Sequence, residues 1–200
     1  MPAYAKGRTD TPLLEQTIGD RLEATASRLP DHEAVVMPHQ NIRWTYRQLD
    51  DAVNRVARGL LARGFEKGDR IGVWAPNLIE WVLMQYATAK VGVIQVNINP
   101  AYRANELAFA LKHSGCKGLV AARRFKTSDY VQMLGMVRDQ CPALSEVIFL
   151  DEEGQAGDWA RLLADGESTA PGAVAERMAT LKPHDPINIQ YTSGTTGAPK

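Results

Sequence analysis

Nine consecutive residues, Thr192, Ser193, Gly194, Thr195, Thr196, Gly197, Ala198, Pro199 and Lys200, have the side chains and spacing to bind an anion. Glycines let backbone N–H groups approach a ligand closely, because no Cβ stands in the way. Thr192, Ser193, Thr195 and Thr196 add rotatable hydroxyl donors. Lys200 adds a compact positive charge suited to phosphate. An apolar strand end, Ile189-Gln190-Tyr191, precedes the run. The chemistry implied is a cradle for a polyphosphate. Gly and Thr are also common in ordinary turns, so a plain loop is the competing reading.

Spacing excludes a Walker A loop, G-x-x-x-x-G-K-[ST]. Counting from Gly194, the second glycine of that pattern falls on Pro199, which has no backbone donor to offer. No G-x-G-x-x-G follows a strand and no G-x-S-x-G elbow occurs, so neither a Rossmann dinucleotide site nor a serine hydrolase is supported. His32, His39, His113 and His184 are scattered without metal-ligand spacing and read as structural or solvent-facing. Cys116 and Cys141 make no disulfide framework; as free packing thiols they fit a reducing, cytoplasmic setting.

The 23 basic and 23 acidic residues of the 200-residue chain cancel, which argues for neither nucleic acid nor an anionic membrane as partner. Residues 1–12 are polar, with no apolar core of a secretory signal, and no run reaches the length of a membrane span.

The elements that must position the terminal loop follow from periodicity. Leu14, Ile18, Leu22, Ala26 and Leu29 recur at helical spacing, which predicts a helix over 15–28 ahead of Pro30. Short strands are predicted at 34–37 and 42–45. Thr45 and Gln48 form a capping box that opens a helix on the stripe Tyr46, Leu49, Val53, Val56 and Leu60. The outer face of that helix, Arg47, Asp50, Asp51, Arg55 and Arg58, reads as solvated. From Asp69 onward strands and helices alternate: strands at 70–74, 93–96, 118–121, 146–150 and 187–191, helices at 78–90, 104–113 and 129–139. Repeated β-α-β units predict an α/β fold with a parallel sheet and helices on both faces. In such sheets ligands bind at the carboxyl ends of strands, where the terminal loop is placed. Residues 151–183, rich in Gly, Ala, Asp and Glu, read as a surface connection with one short helix at 159–163. Trp44, Trp74 and Trp81 read as core. Asn97, Asn99, Tyr102 and Arg103 read first as the turn into a helix, with the wall of a substrate cleft as the alternative.

The run from Thr192 to Lys200 resembles the T-S-G-T-T-G-x-P-K signature of the adenylate-forming enzymes, which include acyl-CoA synthetases, peptide-synthetase adenylation domains and firefly-type luciferases. The likeness extends through Asp10-Thr11-Pro12-Leu13-Leu14, Trp44-Thr45-Tyr46, Lys67-Gly68-Asp69-Arg70, Trp74-Ala75-Pro76-Asn77, Val96 to Arg103, and Asp185 to Tyr191. These segments look most like fatty acyl-CoA ligases of the medium- and long-chain branch. The resemblance implies the α/β large N-terminal domain of such synthetases. Residues 1–13 would be an arm and 14–200 a portion of the AMP-binding domain cut at its phosphate loop.

It also implies ATP and coenzyme A as substrates, Mg²⁺ as cofactor and a fatty acid as the small-molecule partner. A carboxylate would attack the α-phosphorus of ATP, and CoA thiol would then release AMP from the acyl-adenylate. Thr192, Ser193, Gly194, Thr195, Thr196, Gly197, Ala198, Pro199 and Lys200 would orient the pyrophosphate. The family's adenine, metal and acyl-pocket residues and its catalytic lysine lie beyond this loop. The chain therefore reads as a synthetase fragment without turnover of its own and without catalytic residues. An aryl- or amino-acid ligase, or a non-catalytic nucleotide-binding module, stands as the alternative.

Overall fold

The computed structural model describes residues 7, 10, 12, 14–150 and 157–192. Helix α1 spans Ile18–Arg28. It starts later than the apolar spacing predicts because Thr17 and Asp20 form a capping box that fixes the entry. Leu14 lies outside it and is exposed. A hairpin follows, β1 (Glu33–Met37) antiparallel to β2 (Ile42–Thr45). The Thr45–Gln48 box then opens α2 (Tyr46–Ala62), with Gln48 N donating to Thr45 Oγ1 at 3.4 Å. Leu49, Val53, Val56 and Leu60 are buried along it.

Next come β3 (Arg70–Trp74), α3 (Ile79–Val91), β4 (Ile94–Asn97), α4 (Ala104–Ser114) and β5 (Gly118–Ala121). A two-stranded ribbon, β6 (Arg124–Phe125) with β7 (Ser128–Asp129), leads into α5 (Tyr130–Val137) and β8 (Glu146–Phe149). Helices α6 (Asp158–Asp165) and α7 (Ala173–Met178) precede β9 (Asn188–Gln190).

Five strands form one parallel sheet in the order β8-β5-β3-β4-β9. This is the α/β arrangement that the alternation of elements predicts. The chain steps from β3 to β4 on one side, then crosses back over β3 to β5 and on to β8. Right-handed crossovers that move across the sheet in opposite directions put their helices on opposite faces. Accordingly α2, α3, α6 and α7 pack together, while α4 pairs with α5. Val73, Trp74, Val96, Leu119, Val120 and Ile148 are almost fully buried in the strands, as expected of a sheet covered on both faces.

Two expectations are corrected. The described part of the 151–183 stretch is not a loose connection. Leu162 of α6 is fully buried, and a Cβ built on Gly59 of α2 would lie 2.4 Å from the Leu162 carbonyl oxygen. Nor is the outer face of α2 wholly solvated: Asp50 turns to the buried Lys90 on α3, at 2.8 Å. The sequence signal missed both because each depends on a partner a hundred or so and forty residues away.

Candidate functional site

The directions in which the chain leaves β3 and β4 differ, so a crevice opens beyond the carboxyl ends of these neighbouring strands. A cleft of about 390 Å³ occupies that place. Asn77 lines it from the loop after β3, Trp81 from α3, and Asn97, Asn99 and Tyr102 from the end of β4 and the turn that follows. Gln190 and Tyr191 line it from the end of β9. Among the described residues the lining carries no charged side chain. Four carboxamides, an indole and two phenols offer donors, acceptors and flat apolar faces. Such a wall suits a neutral, hydrogen-bonding group and leaves any phosphate charge to other residues.

Each wall is held from behind. Asn99 Oδ1 accepts from Ala101 N at 2.8 Å, which closes the turn after β4. Tyr130 lies stacked on Trp74 with ring centroids 3.5 Å apart, and its hydroxyl donates to the Pro100 carbonyl. The β1–β2 hairpin supports the opposite wall. Gln40 Oε1 accepts from Ile79 N at 2.7 Å, capping α3, and His39 Nε2 lies 2.9 Å from the Asn77 carbonyl. Sequence reasoning missed this role of Gln40, because the cap comes from 39 positions upstream.

The polar group after β4 is thus both things at once. Asn97, Asn99 and Tyr102 line the cleft, while Arg103 turns away, its Nη1 donating to Ser128 Oγ at 3.1 Å. Burial, with the Glu106 charge nearby, pushes the Tyr102 phenol above its ordinary pKa. Of the three tryptophans assigned to the core, Trp74 is fully buried, whereas Trp44 and Trp81 are half-buried and Trp81 faces the cleft.

The strand end that leads to Thr192 is tied down on two sides. Asn97 Nδ2 donates to Gln190 Oε1 at 2.8 Å, across the β4–β9 register pair. Tyr191 is buried against α4; its hydroxyl donates to the Ala110 carbonyl at 3.3 Å and lies 3.1 Å from His113 Nδ1. Burial pushes this phenol up as well. Thr192 follows, exposed, at the carboxyl end of the sheet. Ser193, Gly194, Thr195, Thr196, Gly197, Ala198, Pro199 and Lys200 lie outside the described residues.

No other catalytic grouping competes among the described residues. Cys116 and Cys141 are buried, and burial pushes the Cys116 thiol up to about 11 and the Cys141 thiol up as well. Neither is a ready thiolate. No three or more His, Cys, Asp or Glu side chains among the described residues converge as a metal-ligand set, and no helix there is long and apolar enough to cross a membrane.

The profile of the family described as "AMP-binding enzyme" matches residues 22–200. The chain is 44% identical, over 99% of its length, to the medium-chain acyl-CoA ligase ACSF2, mitochondrial, of Rattus norvegicus. It covers 35% of that protein, so it spans about a third of the length of the curated relatives it matches. Among solved structures, a fatty acyl CoA synthetase of Mycobacterium tuberculosis superposes with a TM-score of 0.75 at 30% identity, over 92% of this chain and 33% of that one. The N-terminal domain of FACL13 from the same organism gives 0.76 at 31% identity, over 92% of this chain and 43% of that one.

Proposed function

The chain belongs to the AMP-binding enzyme family, and from that premise we propose that it is the nucleotide-phosphate-binding portion of an acid–CoA ligase. The observation that carries the reading is positional. Gln190 and Tyr191, the two residues that precede the hydroxyl-, glycine- and lysine-bearing run in the sequence, line a cleft at the switch point of a parallel sheet. Thr192, Ser193, Gly194, Thr195, Thr196, Gly197, Ala198, Pro199 and Lys200 hold the β- and γ-phosphates of ATP, and the uncharged cleft alongside receives a neutral part of a substrate. Residues 14–200 act as one unit in this reading.

The reaction proceeds in two displacements. A carboxylate oxygen bonds to the α-phosphorus of ATP and pyrophosphate leaves. CoA sulfur then bonds to the acyl carbon and AMP leaves. The loop contributes position and charge neutralisation rather than a nucleophile. Mg²⁺ keeps much of its coordination to phosphate oxygens and water in sites of this kind. A protein set of three carboxylates is not needed, and Mg²⁺ would arrive on the triphosphate, with the Ser and Thr hydroxyls of the loop beside it. Similarity to medium-chain ligases supports a medium-chain fatty acid as substrate. The two buried, unpaired cysteines support a reducing compartment, cytoplasm included, while the relatives' own names say mitochondrial.

The test is ATP–pyrophosphate exchange by the complete gene product across acids of increasing chain length, with Lys200→Ala alongside. Exchange peaking at medium chains, and falling by about 100-fold in Lys200→Ala, is expected of a residue that meets transition-state charge. Exchange on aryl or amino acids alone overturns the fatty-acid substrate, and exchange undiminished in Lys200→Ala overturns the phosphate-binding reading. Residues 1–200 by themselves are expected to show no exchange.

A further inference from the structure

A strand covered on both faces of a parallel sheet ordinarily reads as an unbroken apolar run. Strand β4 does not: Gln95, between Ile94 and Val96, has none of its surface exposed. Its Nε2 donates to Asn97 Oδ1 at 2.8 Å and to Gln85 Oε1 on α3 at 3.3 Å. Its Oε1 is buried without a partner among the described residues. A buried acceptor left unpaired is destabilising, so this glutamine costs the sheet something that an apolar residue would not.

The donor side leads to the loop. Gln95 donates to Asn97, and Asn97 donates to Gln190, its register partner on β9. The amides point in one sense, from the sheet interior toward the strand end. Strand β9 is three residues long, lies at the sheet edge and is paired to β4 alone among the described strands. Its ladder ends at the Asn97–Gln190 pair, two residues before Thr192.

We infer that Gln95 and Asn97 are positioning residues: through Gln190 they fix where β9 ends, and hence where the phosphate-binding run begins. Gln95 is fully buried behind the cleft, whereas Asn97 also lines it, so Gln95→Leu carries the distinction between positioning and direct contact. The inference rests on the nucleotide reading above. It accounts for a polar residue that packing alone disfavours, since strain retained at a functional site is commonly offset elsewhere in the fold.

The experiment is steady-state kinetics and thermal unfolding of the complete gene product carrying Gln95→Leu, Asn97→Leu, Asn97→Thr or Lys200→Ala. Leu at 95 removes both the donor and the orphaned acceptor. Its melting temperature is expected to hold or rise, while KM for ATP rises about fivefold, the equilibrium worth of one net hydrogen bond. Asn97→Leu is expected to raise KM for ATP similarly. Asn97→Thr, whose hydroxyl can accept from Gln95 and donate to Gln190, is expected to recover part of that loss. A lower melting temperature with unchanged KM for ATP in Gln95→Leu marks a merely structural glutamine and overturns the inference. So does an unchanged KM in both position-97 variants, which also decides the matter if Gln95→Leu does not fold. Lys200→Ala separates the two layers. If it weakens ATP use and the amide variants do not, only the positioning role fails; if it does not, the nucleotide reading fails and the inference with it.

Discussion

The Lys90 ammonium, with none of its side chain exposed, lies 2.8 Å from Asp50 Oδ1 and ties α3 to α2. Glu23 Oε1 and Asn54 Oδ1, each at 2.7 Å, complete its three donor contacts and bring in α1. A buried cation is tolerable only when so satisfied. The two carboxylates differ in exposure: Asp50 retains 18% and Glu23 44%. Removing Asp50 therefore leaves an enclosed charge with less compensation, whereas removing Lys90 leaves carboxylates that water still reaches. Asp50→Leu is expected to cost about 3 kcal/mol, the low end for breaking a buried pair. Lys90→Met, which keeps the volume of the lysine stem, is expected to cost less. Urea unfolding of both variants checks the order, and the reverse order would show that Glu23 and Asn54 suffice to hold the ammonium without Asp50.

The docking of α6 on α2 rests on two glycines. A Cβ at Gly59 would sit 2.4 Å from the Leu162 carbonyl oxygen and 2.9 Å from Leu162 Cγ, and one at Gly166 would sit 2.7 Å from Gly59 N. In an isolated helix Gly→Ala gains up to about 1 kcal/mol. Here the added methyl must push backbone away, and overpacking of this kind costs about 2 kcal/mol. Gly59→Ala is thus expected to lower the melting temperature rather than raise it. A stabilised variant would mean that α6 can lift off α2 at little cost.

Local signals in the sequence carried most of the fold. Thr45 with Gln48 at a helix start, and the alternating runs from Asp69 onward, put the elements within a few residues of where they lie. The capping box of α1 was less visible because Asp20, not Glu or Gln, stands at its third position. What could not be read was contact between distant segments: Asp50 with Lys90, Gly59 with Gly166, Gln40 with Ile79. The composition of 157–183 looks loop-like, yet Trp159 and Leu162 become core once α2 supplies a surface for them. At the site, Asn97, Asn99 and Tyr102 were legible as a polar group after a buried strand. That Arg103 leaves the group and Trp81 joins it is settled by helix geometry that no spacing rule contains. The amide of Gln95 was hidden inside an apparently apolar strand.

Asp69, at the entry to β3, sets an acid limit on stability. Burial alone would raise its pKa, but Glu66 N donates to Oδ2 at 2.8 Å and Lys117 Nζ stands 2.6 Å away, and together with the Arg70 charge they hold the carboxyl below its ordinary value. Since the folded pKa lies below the unfolded one, the unfolded chain binds more protons in acid. The stabilisation is present above the unfolded value of about 3.9 and is lost as pH falls through the folded value. Lys117 also reaches the Gly64 carbonyl at 2.7 Å, so the pair braces β3 and β5 at their starts. Asp69→Asn is expected to lose about 2 kcal/mol at pH 7, as charge-assisted hydrogen bonds are weakened. The difference from the unaltered protein is expected to shrink steadily below about pH 4. Urea unfolding of both proteins from pH 7 down to the acid limit measures it. Parallel curves through that range would mean that Asp69 does not titrate with the fold.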